Sequence, residues 1–316
     1  MENWGKGNLP IQHPLLHPSV TPIPPSILYS ATSHVKFAFN NQVNMSKPFF
    51  FTHHSQLSTL NPQLSVICLA LTCLTVFVGC KTNPPATALA NNPKPTCVIV
   101  HGAWGGGWDW KHVDQLLTAD GYKVYRPTLT GQGEHSNLAS TNIDLDTHIQ
   151  DIVNVIVWED LHDVVLVGHS YGGMVITGVA DRVPDRIRRL VYVDALLPEN
   201  GENVDTIISP KLKKPVKDGF VTCPWVTNSP PPPHDVLMPA KAFSQPISLT
   251  NQAAAGKLPV TYILTVDKGR LPEQDDFYPF YLRARNRDWT VYIMEGDHNS
   301  QRSHPNELVT LVEHVP

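Results

Sequence analysis

The sequence predicts a doubly wound α/β domain, a mostly parallel sheet with helices on both faces and a small cap. Three observations predict it. From residue 96 onward, short apolar runs alternate with segments of helical spacing, the order that places crossover helices between parallel strands. One apolar run passes through a glycine-flanked serine directly into a helical segment. The interval 194–259 separates two runs and contains Pro230 to Pro233, which is too long for an ordinary connection.

The runs Cys97 to Val100, Lys123 to Tyr125, Val164 to Val167, Leu190 to Val193, Thr261 to Val266 and Thr290 to Met294 read as buried strands, because a strand covered on both faces needs no polar alternation. Trp108 to Ala119, Leu145 to Val157, Gly172 to Arg182, Phe277 to Arg285 and Asn306 to His314 carry helical spacing. Residues 198–258 are read as the cap over the working edge of the sheet, counted as an insertion after the sixth strand.

The first 95 residues read differently. Residues 1–63 are rich in Pro, His, Ser, Thr and Asn without sustained periodicity, so disorder or a spurious extension is expected, with Met45 the alternative start. Leu64 to Val78 is an apolar run of signal-peptide length that ends in Gly79-Cys80, a small residue before a cysteine as in a bacterial lipoprotein signal. On this reading residues 64–80 are the signal, Cys80 is the lipidation site, and the proline-rich residues 81–95 are a tether to the domain 96–316. A plain secretory signal or a single anchor helix is the alternative, and every version implies export, in the first case to the cell envelope. The oligomeric state has no signature in the sequence.

Composition narrows the function. The 316 residues carry a formal net charge of −4, with 41% hydrophobic and 16% charged, and no Lys/Arg cluster interleaved with aromatics offers a nucleic-acid footprint. Three of the five cysteines fall in the apolar run at 68–80, and Cys97 and Cys223 alone make no disulfide framework. No pair of histidines has the spacing of a metal site, and no cofactor is expected. Gly105 to Gly107 lack the Lys-Ser or Lys-Thr that a phosphate cradle requires.

Val164-Val165-Leu166-Val167 leads into Gly168-His169-Ser170-Tyr171-Gly172. This is G-x-S-x-G between a strand and a helix, a turn that exposes the serine at a helix N-terminus and makes Ser170 the candidate nucleophile. His169, within the turn itself, is expected to pack. Val98-Ile99-Val100-His101-Gly102-Ala103 is a strand entering a glycine-rich loop, from which the backbone amide of Ala103 would join that of Tyr171 as an oxyanion hole. His101 is read as a hydrogen-bonded residue at the strand end.

A general base belongs after the last strand, where Glu295-Gly296-Asp297-His298-Asn299 offers His298. The carboxylate that orients it should follow an earlier strand. Asp267, after Thr261 to Val266, is favoured, and Asp194, after Leu190 to Val193, competes with it.

Val98 to Trp110, Val164 to Met174 and Val266-Asp267-Lys268-Gly269 with Pro272 resemble the plant methylesterase and hydroxynitrile lyase group of the α/β-hydrolase superfamily and its bacterial esterase relatives. The resemblance spans about residues 96–314. It implies Ser170 as nucleophile, His298 as base, Asp267 as acid and the amides of Ala103 and Tyr171 as oxyanion hole. The lyase branch carries Thr where this chain has Gly102 and Lys where it has Asn299, so the resemblance implies ester hydrolysis through an acyl-enzyme on a small hydrophobic ester. A non-catalytic binding lipoprotein and an acyltransferase or haloperoxidase-type activity on the same triad are the alternatives. Epoxide hydrolases and dehalogenases of this fold need Asp at the position of Ser170.

Overall fold

The computed structural model describes residues 94–226 and 230–314. The expected extension at 1–63, the signal with Cys80, and residues 81–93 of the tether lie outside the described residues. Those described fall in one compact unit, Cys80–Pro316.

Its first half is regular. Strand β1 (Thr96–Val100) is followed by a 3-10 turn (Gly107–Trp110), helix α1 (Lys111–Ala119), β2 (Lys123–Tyr125), α2 (Leu145–Trp158), β3 (Val164–His169), α3 (Gly172–Arg182) and β4 (Ile187–Val193). The cap segment then holds only short pieces: α4 (Val204–Ile207), β5 (Val216–Lys217), β6 (Phe220–Val221), β7 (Met238–Pro239), α5 (Lys241–Ser244) and α6 (Gln252–Ala255). The body resumes with β8 (Val260–Val266), α7 (Tyr278–Arg285), β9 (Thr290–Glu295), α8 (Ser300–Ser303) and α9 (Pro305–Glu313).

Six strands form one sheet in the order β2-β1-β3-β4-β8-β9, and each neighbouring pair is parallel. β5, β6 and β7 pair antiparallel in a separate small sheet. In chain order the insertion follows β4, the fourth strand of the main sheet rather than a sixth. Two strands differ from expectation by more than one residue. β4 starts at Ile187, three residues early, and β3 runs on to His169, because both are paired along those residues.

Both faces of the sheet are covered, which is why its strands read as unbroken apolar runs. Successive side chains alternate between faces. Cys97, Ile99, Val165, Val167, Val191, Val193 and Ile263 pack with Val113 and Leu117 of α1 and Leu308, Val309 and Val312 of α9. Their neighbours Val98, Val100, Val164, Leu166, Leu190, Tyr192, Tyr262 and Leu264 pack with Ile149, Ile152 and Ile156 of α2 and Met174, Val175 and Val179 of α3. Helix α2 starts at Asp144, whose carboxylate accepts from the Thr147 amide at 2.9 Å, a cap worth about 1 kcal/mol.

Candidate active site

The parallel sheet sends the C-terminal ends of β1, β3, β4, β8 and β9 to one edge, and the candidate residues gather there. Ser170 sits between β3 and α3 with φ +51°, a left-handed backbone that a non-glycine residue adopts only when its surroundings enforce it. They do so through hydrogen bonds. The Ser170 amide donates to the Val193 carbonyl at 3.3 Å, and the Ser170 carbonyl accepts from Gly173 at 3.1 Å and Leu196 at 3.0 Å. Two glycines make the turn possible by contact. A Cβ at Gly173 would lie 2.0 Å from the Leu196 carbonyl oxygen, and one at Gly172 would lie 2.5 Å from that of Val100.

His298 lies in the turn after β9. Its Nε2 is 3.0 Å from Ser170 Oγ and its Nδ1 is 2.6 Å from Asp194 Oδ2. A carboxylate only accepts, so it holds the hydrogen on Nδ1 and leaves Nε2 to accept from the serine hydroxyl. Asp194 is 1% exposed. Its Oδ1 accepts from the Thr265 amide at 3.2 Å, and its own amide donates to the Ile263 carbonyl at 2.8 Å.

Asp267, the acid favoured by the sequence, is corrected by this geometry. Register explains why: His169 stands opposite Val193, and Val193 stands opposite Ile263. Ser170 and Asp194 are therefore level, while Asp267 lies three residues beyond that level, about 10 Å farther along the strand direction. There it is exposed and paired with Arg270 at 3.2 Å.

Two rings flank the His298 imidazole. Phe277 stacks on it with centroids 4.7 Å apart and 20° between planes, and His169 lies tilted at 4.8 Å. Burial pushes His169 well below the ordinary histidine range. It is neutral, and its single N–H, at Nε2, donates to the His298 carbonyl at 2.7 Å. His169 thus does more than pack: it fixes the backbone that carries the base.

The oxyanion loop is held in the same manner. Burial lowers His101 to about 4. Its Nε2 accepts from the Leu129 amide at 3.1 Å, which leaves Nδ1–H to donate to the Gly102 carbonyl at 2.7 Å. In a trans peptide the N–H points away from the carbonyl, so a fixed Gly102 carbonyl also fixes the direction of the Ala103 amide. Among the described residues, neither the Ala103 nor the Tyr171 amide donates to an acceptor within the protein. Tyr171 is anchored at its far end, its hydroxyl donating to His148 Nδ1 at 2.9 Å while His148 Nε2–H donates to the Thr130 carbonyl at 3.0 Å. Burial lowers His148 to about 4 as well.

A cavity of about 790 Å³ opens over Ser170. One side is apolar and comes from the cap and its approaches: Leu196, Val204, Ile208, Leu212, Trp225 and Phe243. The other side is the polar mouth, with Asp267, Asp275, Asp276 and Arg270. Arg302, also on the lining, links body and cap, in contact with Asp109 and 3.6 Å from Asp235 of the cap. Among the described residues, no group of three His, Cys, Asp or Glu side chains is arranged to hold a metal ion. Sequence reasoning missed Phe243 and Trp225, in the proline-rich cap segment, and Phe277, read only as the start of a helix; their pattern carries no site signal.

The model of the alpha/beta hydrolase family matches residues 97–311. Among curated proteins, a carbendazim hydrolyzing esterase of Nocardioides sp. is 48% identical over 124 residues, 39% of this chain and 51% of that protein. A pheophorbidase of Raphanus sativus is 35% identical over 34% of this chain and 42% of its own length. The chain thus aligns with about half the length of these relatives or less. A methyl jasmonate esterase of Vitis vinifera is 25% identical over 69% of this chain and 95% of its own length. Among solved structures, a methylesterase protein from Arabidopsis is 27% identical with a TM-score of 0.55, covering 70% of this chain and 98% of that one. A Paenibacillus extracellular alpha/beta-hydrolase has a TM-score of 0.59 at 24% identity, over 70% of this chain and 99% of its own. At that identity the likeness concerns the fold.

Proposed function

The chain belongs to the alpha/beta hydrolase family, and from that premise we propose that it is a carboxylic-ester hydrolase working through an acyl-enzyme on Ser170. The observation that carries the reading is the unbroken relay from Ser170 Oγ through His298 to Asp194, at 3.0 and 2.6 Å. His298 takes the serine proton as Oγ attacks the ester carbonyl. The buried Asp194 carboxylate stabilises the imidazolium that results. The amides of Ala103 and Tyr171 receive the negative charge that develops on the carbonyl oxygen. His298 then protonates the departing alcohol, and water, deprotonated by the same imidazole, frees the acid.

A small hydrophobic ester with a compact alcohol is the proposed substrate. The apolar side of the cavity suits the acyl group, and relatives along the fold are named methylesterase, methyl jasmonate esterase and carbendazim hydrolyzing esterase. Export, with Cys80 as a lipid attachment point, is proposed on the sequence alone. Labelling of the expressed chain with a clickable palmitate analogue, compared with Cys80→Ala, tests it.

The test of the activity is hydrolysis of p-nitrophenyl acetate and butyrate by the full chain and by Ser170→Ala. Turnover lost in the variant is the expected result. A folded wild-type chain that turns over no ester overturns the reading.

A further inference from the structure

The oxyanion loop carries a third left-handed residue at this edge of the sheet, after Ser170 and Asp194. Trp104, immediately after Ala103, has φ +65°, a backbone that a bulky aromatic residue adopts only under constraint. The constraint comes from the cap. The Trp104 carbonyl accepts from the Val236 amide at 2.7 Å, and the Trp104 indole N–H donates to the Val221 carbonyl at 3.3 Å. The indole also meets Trp225 edge-on at 5.7 Å and Phe243 at 5.8 Å.

Phe243 connects this side of the site to the other. It is 6% exposed and stacks on Tyr171, with centroids 5.6 Å apart and 27° between planes. One ring from α5 of the cap therefore touches Trp104, next to the Ala103 amide, and the side chain of Tyr171, which bears the second amide. Each amide is also held from the body, Ala103 through His101 and the Gly102 carbonyl, Tyr171 through His148. Body and cap both hold Tyr171, and they hold the oxyanion loop at adjacent residues, the body at Gly102 and the cap at Trp104.

We propose that the cap braces the oxyanion hole, with Trp104 and Phe243 as positioning residues that set the aim of the Ala103 and Tyr171 amides. The inference rests on the esterase reading above. Donors to a developing charge act only when aimed at it before reaction, and a displacement of about 1 Å costs on the order of 100-fold in rate. The cap then serves two ends: it walls the acyl side of the cavity, and its seating holds the donors at their working distance.

The test separates these two roles. Full-length wild type, Trp104→Gly and Phe243→Leu are assayed on p-nitrophenyl acetate, whose acyl group is too short to need the apolar wall. Glycine accepts the left-handed backbone and removes the indole contacts with Val221, Trp225 and Phe243. Inhibition by an alkyl trifluoromethyl ketone, which forms a tetrahedral oxyanion on Ser170, is measured beside inhibition by the corresponding carboxylic acid. We expect kcat on acetate to fall about 10-fold with KM changing less than about threefold. Trifluoromethyl ketone affinity should fall by the same factor, and acid affinity should hold.

An unchanged kcat on acetate, with losses confined to long-chain esters, makes the rings mere walls and overturns the proposal. Equal loss of affinity for both inhibitors overturns it too. If Trp104→Gly does not fold, Trp104→Phe keeps the ring and removes the bond to Val221, and about a threefold fall in kcat on acetate is expected; no fall counts against the proposal. A wild-type chain that hydrolyses no ester at all is a failure of the esterase reading, recognised before any variant is compared.

Discussion

β4 and β8 lie side by side, paired from Leu190 opposite Val260 to Val193 opposite Ile263, and each is followed directly by an aspartate. Asp194 leaves its strand with φ +43°, turns inward and is buried against His298. Asp267 leaves a strand that runs farther, emerges at the mouth of the cavity and meets Arg270. Residue type and local motif are the same. What separates them is stagger: β3 and β4 bring Ser170 and Asp194 to one level, and β8 overshoots that level. The contrast extends along the edge. On the β1 side, His101 and His148 are buried with both ring nitrogens hydrogen-bonded and His169 is buried with one, whereas beyond β8 Asp267 and Arg270 lie exposed.

The sharpest way to break this comparison is kinetic. Ser170→Ala is expected to lower kcat/KM on p-nitrophenyl esters by about 10⁴-fold or more, which establishes that the turnover measured belongs to this edge. Asp194→Asn should then cost about 10³- to 10⁴-fold, because an amide at that place no longer fixes the tautomer or supports the imidazolium. The same change at Asp267 should cost less than about twofold. Reversal of these two results would return the role to Asp267 and require the β8 end to fold back onto the base.

Acid sharpens the other half of the contrast. His101 and His148 stay neutral in the fold down to about pH 4, whereas in the unfolded chain each takes a proton near pH 6.5. The unfolded state binds more protons between those values, so stability rises with pH through that window and is lost as pH falls from 6.5 toward 4, on the order of 3 kcal/mol for each group. Urea unfolding of wild type at pH 7.0 and 4.5 should show the loss, and His148→Gln should unfold with a visibly shallower pH dependence. An identical slope in the variant removes His148 from the account. The smallest effect belongs to the solvent side: Asp267→Asn breaks an exposed ion pair and should change unfolding free energy by less than about 0.5 kcal/mol.

Much of this molecule is legible in the chain. Apolar runs such as Val164 to Val167, and helices such as Leu145–Trp158, are set by local patterning, because a strand covered on both faces and a helix covered on one leave different periods in sequence. The turn around Ser170 is equally local. Its strained backbone and its close contacts with Val100 and Leu196 demand small residues at fixed spacing, and those glycines are readable directly. His298 follows from its place after the last strand.

The choice between Asp194 and Asp267 is of another kind. Each is a carboxylate at a strand end, and only the relative stagger of β3, β4 and β8 brings one of them level with the serine and the imidazole; stagger is a property of paired strands, β4 and β8 with more than 60 residues of chain between them, with no trace in either motif. The cap is the same case. Its elements are four residues or shorter, too short to leave a period, so Phe243 and Trp225 become recognisable only once the segment is packed over Trp104 and Tyr171. Sequence determined the sheet, its helices and the chemistry at Ser170 and His298, because those depend on neighbours within a few residues. Tertiary structure decided which acid meets the base and what closes over the site, because those depend on distances between segments that the chain brings together only by folding.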